Sequence, residues 1–251
     1  MREDFYAEYY EIENVHWWFV ARWQIFLEVI RREFDQESEI RALDAGCGTG
    51  TMLGHLEQLG PAVGIDRATA AVRFCRGRGR NRLVQGTADT LPLEDGTFDL
   101  VCALDMLEHI ADDVAALKEM SRVCRPGGRI LITVPAFQFL WGRQDEISHH
   151  LRRYTARELR ARITAAGLEV RKLTYFNTLL FPIVAAIRVG RRLLPSGPEE
   201  EIESDFTMTR PGRLNDLLAR VFKAESGLIQ AARLPFGVSL LAVARKPAAD
   251  A

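Results

Sequence analysis

Apolar and polar positions along this chain fall into blocks whose period changes, and the changes mark its elements. His16 to Phe34 carries aromatic and aliphatic residues on one broad face and Arg/Glu on the other, the spacing of a helix. Ile40 to Ala45 is short and apolar and runs into a glycine-rich turn, which predicts a strand, and Thr51 to Leu59 returns to helical spacing. A strand over Ala62 to Ile65, a helix over Ala68 to Gly77 and a short strand over Arg82 to Gln85 follow. Phe98 to Leu104 is almost continuously apolar, as expected of a strand buried on both faces of a parallel sheet. Asp112 to Val123 reads as a helix and Arg129 to Val134 as another buried strand. This alternation predicts an α/β domain: a doubly wound, mostly parallel sheet with right-handed crossovers and helices on both faces.

After Pro135 the rhythm loosens. Phe137 to Arg153 reads as a loop rich in aromatic, acidic, His and Arg residues. A helix then runs to Ala166, with Thr155 as N-cap and Glu158 at capping-box spacing, and Leu168 to Leu173 is a strand. Between it and a final strand, Val238 to Ala244, lies a helical insertion. It holds an apolar-then-basic helix (Leu179 to Leu194), a Pro/Gly/Glu-rich loop (Pro195 to Glu203) and a further helix from about Leu214. The expected organisation is one domain over 1–251. It comprises an N-terminal helical cap (1–36), a ligand-binding core (37–174), an acceptor-side insertion (175–235) and a last strand with tail (236–251).

Composition narrows the classes. At 47% hydrophobic the chain can build a full core, and a net charge of −1 gives no overall field toward nucleic acid. The basic run Arg76 to Arg82 is read as a solvated helix end and turn. The four cysteines lie far apart without a CxxC pair, against a zinc site or disulfide framework. Met1-Arg2-Glu3-Asp4 leads into no signal-like apolar core, and no apolar run is long enough to span a bilayer, so a cytoplasmic location is expected.

The candidate chemistry sits in Leu43-Asp44-Ala45-Gly46-Cys47-Gly48-Thr49-Gly50, a glycine turn between strand and helix. Dinucleotide enzymes also use such a turn, but three details point elsewhere. The spacing is GxGxG rather than GxGxxG. Asp44, before the first glycine, would repel a pyrophosphate but suit a cationic aminoacyl ligand. Asp66 ends the next strand, where a carboxylate can accept both ribose hydroxyls.

These residues resemble the class I S-adenosylmethionine-dependent methyltransferases. The likeness runs in order through Asp44 to Gly50, Gly64-Ile65-Asp66, Leu91-Pro92-Leu93 with Asp95-Gly96-Thr97-Phe98-Asp99, Leu107-Glu108-His109-Ile110 and Arg122-Val123-Cys124-Arg125-Pro126-Gly127-Gly128. The resemblance implies a Rossmann-like, seven-stranded sheet with an antiparallel last strand, S-adenosyl-L-methionine as cofactor and methyl transfer as activity. It implies that Gly46, Cys47, Gly48 and Gly50 contact the methionine part, that Asp66 and Arg67 lie at the ribose, and that Ala88 and Asp89 lie at the adenine. Thr87 departs from the acid many members carry, which passes the adenine amino contact to Asp89. Leu104 and Asp105 are implied beside the aminoacyl end and the methyl. The flanks resemble a narrower bacterial group through His16-Trp17-Trp18-Phe19 with Arg22, Asp145, His150 with Arg152-Arg153-Tyr154, Phe181-Pro182 and Pro235 to Ser239.

Several residues keep two readings. Trp17-Trp18-Phe19 is either a core stripe or a cap on the cofactor cleft, with Arg22 pairing the methionine carboxylate. His109 and Glu108 read as structural, and His149 and His150 as a solvated loop pair or as acceptor-side chemistry. A hydroxyl or ammonium acceptor needs a base, for which His150 and Asp105 are the candidates. Phe137, Phe139, Trp141, Tyr154 and Phe176 are expected to wall the acceptor pocket, with Arg153 and His150 as its polar groups. No metal is expected, since no other His or Cys stands at ligand spacing. The expected partner is a small-molecule or lipid-linked acceptor, not nucleic acid. Residues 179–194 either pack on the domain or touch a membrane peripherally. The rival classes are a NAD or nucleotide-sugar Rossmann enzyme and a non-catalytic cofactor-binding module. The first lacks its longer glycine fingerprint and a Tyr-x-x-x-Lys relay here, and the second would fit a degenerate glycine loop.

Overall fold

The computed structural model describes residues 3–34, 39–193 and 212–248. Two helices lead in: α1 (Glu3–Ile12) and α2 (Trp17–Glu33), whose first turn is capped by the His16 side chain accepting from Trp18 N. The alternating core follows: β1 (Ala42–Ala45), α3 (Thr51–Leu56), β2 (Ala62–Asp66), α4 (Thr69–Gly77), β3 (Leu83–Gln85) and β4 (Phe98–Leu104). A 3-10 turn (Leu107–His109), α5 (Asp113–Val123) and β5 (Cys124–Pro135) continue it. Beyond lie a second 3-10 turn (Gln138–Leu140), α6 (Arg143–Ile147), α7 (Ala156–Ala165), β6 (Glu169–Phe176), α8 (Phe181–Leu193), α9 (Arg213–Ala231) and β7 (Ser239–Arg245).

Among the described residues, seven strands form one sheet in the order β3-β2-β1-β4-β5-β7-β6. Strands β1 to β5 pair in parallel, and β7 runs antiparallel to both β5 and β6. The expected architecture is therefore the observed one. Pleating sends alternate residues to opposite faces. Val101 and Ala103 of β4, with Ile130, Ile132 and Val134 of β5, join Ala116, Leu117 and Met120 of α5 and Leu159 and Ile163 of α7. Leu100, Cys102 and Leu131 face the other way, onto Ile25, Phe26, Val29 and Ile30 of α2, Leu53 and Leu56 of α3, and Phe222 and Ile229 of α9. Helices α2 and α9 thus share one core on one face of the sheet.

The structure corrects several boundaries. Helix α1 went unread because its apolar side is supplied by Phe5, Tyr6, Tyr9 and Tyr10, amphipathic rings among Glu and Asp. β5 starts at Cys124, since Phe98 pairs with Cys124 before a bulge and the Pro-Gly-Gly stretch follows it. The segment 137–153 is not merely a loop: it contains a 3-10 turn and α6, whose first turn is capped by Asp145. β6 extends through Tyr175 and Phe176, so the insertion begins after them. The capping box of α7 is present as expected, Thr155 and Glu158 bonding reciprocally. The Pro195 to Glu203 loop and the end of the basic helix at Leu194 lie outside the described residues.

Candidate active site

At the carboxyl ends of β1, β4 and β5 a cleft of about 500 Å³ opens between the sheet, α2 and α8. It has two chemically distinct ends.

The first end is the glycine loop. Gly48 adopts φ +55, with open space where a side chain would stand, so main chain is presented directly to the cleft. Gly50 adopts φ +86 as N-cap of α3 and backs onto Cys75, whose Sγ would lie 2.8 Å from an added Cβ. Asp66 Oδ2 accepts from Gly48 N at 3.0 Å and Oδ1 from Ala68 N at 2.9 Å, so the carboxylate braces the loop. Glu13, just past α1, accepts from the hydroxyls of Thr49 and of Thr51 (2.7 Å for the latter), which ties the N-terminal segment to the same loop. Asp44 is buried beneath it, and its Oδ2 has no hydrogen-bond partner. Burial, helped by the charges of Asp66 and Glu13, pushes its carboxyl up to about 7.

The middle is formed by Leu104, Asp105 and Arg22. Asp105 turns into the left-handed region at φ 51, pinned by its amide donating to Thr133 O at 3.0 Å. Its carboxylate forms an ion pair with Arg22, and Thr133 Oγ1 donates to it at 3.1 Å. Burial works against ionisation here, but Arg22 and Thr133 outweigh it and hold the Asp105 carboxyl below its ordinary value. A carboxylate so engaged is a weak proton acceptor. Arg22 lies over the rings of Trp18, Phe26 and Phe176 at 5.1, 5.3 and 5.7 Å and bonds to Thr133, so its observed counter-ion is Asp105.

The second end gathers Glu108, His109 and His150. Leu151 N donates to Glu108 O at 2.8 Å and joins the two segments that carry them. His150 Nδ1 is 2.8 Å from Asp145 Oδ1, and its Nε2 is 3.9 Å from Glu108 Oε1. Asp145, fully buried, also accepts from Arg153 Nε and Nη2 at 2.9 Å each, from Gly142 N at 2.8 Å and from Arg188 at 3.2 Å. Burial raises the Asp145 carboxyl, yet His150, Arg153 and the Gly142 amide drive it well below the carboxylate range. Glu108 is the opposite case. It is fully buried, neither oxygen has a hydrogen-bond partner, and burial with the nearby Asp105 charge pushes it well up. Burial and the neighbouring His150 push His109 down to about 4, which leaves its imidazole neutral at physiological pH.

Of the residues singled out from sequence, Arg22, Asp44, Gly46, Cys47, Gly48, Leu104, Asp105, His150 and Arg153 line this cleft. Asp66 reaches it through Gly48; Gly50, exposed Arg67, Ala88 and exposed Asp89 stand outside its lining. The expected aromatic wall is displaced. Tyr154 is buried and donates to Asp113 Oδ2 at 2.9 Å, Phe176 is core, and Phe137 stacks on Tyr175 at 4.8 Å. Phe139 and Trp141 also stand outside the lining. The wall comes instead from Trp17, Trp18 and Phe19 of α2 and from Leu180 and α8 residues such as Ile183 and Ile187. Sequence spacing carried no sign that Glu108 and His109 meet His150 some forty residues later.

Residues 43–132 match the methyltransferase domain family. The chain is 41% identical over 107 residues to an uncharacterised 37.1 kDa protein of a Streptomyces fradiae transposon, across 39% of this chain and 31% of that one. It is 34% identical over 100 residues to a ubiquinone biosynthesis O-methyltransferase of Xanthomonas oryzae, across 37% of this chain and 42% of the relative. The chain thus spans less than half the length of these two relatives. Among solved structures, a SAM-dependent methyltransferase of Thermotoga maritima aligns with a TM-score of 0.57 over 97% of both chains at 19% identity, a likeness of fold.

Proposed function

We propose that this class I S-adenosylmethionine-dependent methyltransferase transfers a methyl group to an oxygen nucleophile on an apolar small-molecule or lipid-linked acceptor. One observation carries the reading. A cleft joins a glycine loop over a buried carboxyl with one unpartnered oxygen to a Glu/His/His cluster, between aromatic and aliphatic walls.

The loop end suits the cofactor. Gly48 leaves room against bare main chain, and Asp44 Oδ2 offers a buried acceptor to an ammonium group. Bound there, S-adenosylmethionine supplies an already activated sulfonium methyl. Asp66 keeps lone pairs for ribose hydroxyls while it braces Gly48, with Arg67 beside it. Ala88 and Asp89 are assigned to the adenine, Gly46, Cys47 and Gly50 to the shape of the loop. Arg22, whose Nε has no hydrogen-bond partner, faces the aminoacyl end together with Asp105 and Leu104.

At the other end the acceptor hydroxyl rests against His150, Glu108 and His109, which hold it toward the methyl. The α2 aromatics exclude water and align the groups, and alignment of this kind supplies roughly 7–11 kcal/mol in the best cases. Ile183 and Ile187 line the cleft yet are 60% and 44% exposed, so the mouth is apolar on its outer side too. That rim supports an apolar acceptor and a peripheral membrane contact through 179–194. Among the described residues no helix is long and apolar enough to cross a membrane. The name of the Xanthomonas oryzae relative supports the oxygen nucleophile.

S-adenosylhomocysteine at a hundred times its Kd is expected to stabilise the fold by about 2.7 kcal/mol, visible as a raised melting midpoint. NAD should leave the melt unmoved; the reverse pattern overturns the reading. Product release against phenols and long-chain hydroquinones then tests the acceptor.

Asp44 sets a pH dependence. Its carboxyl titrates near 7 when folded against about 3.9 unfolded, so the free protein loses stability as pH rises through that window. The ligand's ammonium group needs the ionised form. S-adenosylhomocysteine should therefore bind roughly tenfold more tightly at pH 8 than at pH 6. Calorimetric titration at both pH values checks this, and in Asp44→Asn the difference should vanish.

A further inference from the structure

We propose that Glu108, His109 and His150 bind a divalent transition-metal ion at the acceptor end of the cleft, which rests on the reading that the acceptor occupies this end. One ligand atom from each lies within 4.8 Å of the other two. The imidazoles meet edge to face with centroids 4.7 Å apart.

Glu108 supplies an independent sign. Its carboxyl is fully buried with neither oxygen hydrogen-bonded, whereas Asp145, equally buried, is amply bonded. Leaving such a group without a partner is costly, and a bound cation removes that cost. One imidazole is prepared in the way metal-binding histidines are. His150 uses Nδ1 on the Asp145 carboxylate, which fixes the ring's orientation and leaves Nε2 toward Glu108. Asp145 is itself locked by Arg153 and Arg188, so the support extends two layers out.

Two nitrogens and one carboxylate suit Zn²⁺, Mn²⁺ or Fe²⁺ better than Mg²⁺ or Ca²⁺. Ligand atoms around such an ion at about 2.1 Å stand about 3–3.5 Å apart, so the side chains close inward by about 1 Å on loading. Three protein ligands leave positions for an acceptor oxygen. The ion would lower the pKa of that hydroxyl, whose proton would pass to water. The oxygen then forms the bond to the methyl carbon as the carbon–sulfur bond breaks, its electron pair staying on sulfur. No oxidation or reduction is involved.

Chelator-stripped full-length protein, titrated calorimetrically with Zn²⁺ and followed by visible absorption with Co²⁺, tests the site. One equivalent should bind, with a ligand-field band in the Co²⁺ form. Glu108→Gln, His109→Ala and His150→Ala should each weaken binding by at least roughly tenfold. S-adenosylhomocysteine titration of the same samples reports folding and the cofactor end separately. Variants that bind S-adenosylhomocysteine like the parent but lose Zn²⁺ and the Co²⁺ band support the site. If the parent binds S-adenosylhomocysteine but not Zn²⁺, or if Zn²⁺ binding survives all three changes, the metal site is wrong while the methyltransferase reading stands. If S-adenosylhomocysteine itself fails to bind, that broader reading falls, whatever Zn²⁺ does.

Discussion

Asp145→Ala is expected to destabilise the fold by about 3–5 kcal/mol, the cost of leaving buried charge without its counter-ion. The carboxylate receives both Arg153 nitrogens, the Gly142 amide, Arg188 and His150. Arg153 is almost fully buried, and without Asp145 its remaining side-chain partner is the carbonyl of Ala136 at 2.9 Å. The change would also release the first turn of α6 and the contact from α8, because one residue holds all three segments. Urea unfolding with a common slope measures the loss. A change below about 1 kcal/mol would mean that water reaches these cations freely.

His150→Ala should slow methyl transfer by about 10²–10⁴-fold, the range spanned by loss of a group that helps activate the acceptor hydroxyl. Affinity for S-adenosylhomocysteine should stay within about twofold, since the residue stands at the far end of the cleft from Gly48; kcat and kcat/KM should then fall together. Single-turnover kinetics with a working acceptor, paired with cofactor titration, separate the outcomes. Turnover at the parent rate would return His150 to a passive loop residue. An equal loss of cofactor binding would move it to the cofactor side.

Much of the fold was legible because its signals are local. The apolar run Phe98–Leu104 coincides with β4, and the Thr155/Glu158 pair starts α7 where the capping pattern puts it. The glycine loop follows the first strand and opens α3 as its spacing requires. What escaped depends on distance in sequence. Phe137 and Tyr154 are as aromatic as Trp17 and Trp18, yet packing turns the first pair away from the cleft and the second toward it. Arg22 pointed to a negative partner, but only the fold reveals that Asp105 takes that place. The Glu108, His109 and His150 cluster is invisible as a motif because the Leu151–Glu108 backbone bond assembles it across two segments.

The strand order also bears on how the chain reaches its native state. Among the described residues β6 pairs with the sheet only through β7, and β7 fills the gap between β5 and β6. Between the synthesis of β6 and β7 the ribosome must add all of α8 and α9, and until then two strand edges lie open. The parallel half, β1 to β5, can condense early from near-neighbour crossovers, whereas the far third must await a long-range insertion. During that interval the growing chain is most exposed to pairing with a second copy of itself. Helix α9 arrives just before β7 and packs on α2, already in place, which brings the last strand to its slot instead of leaving it to search.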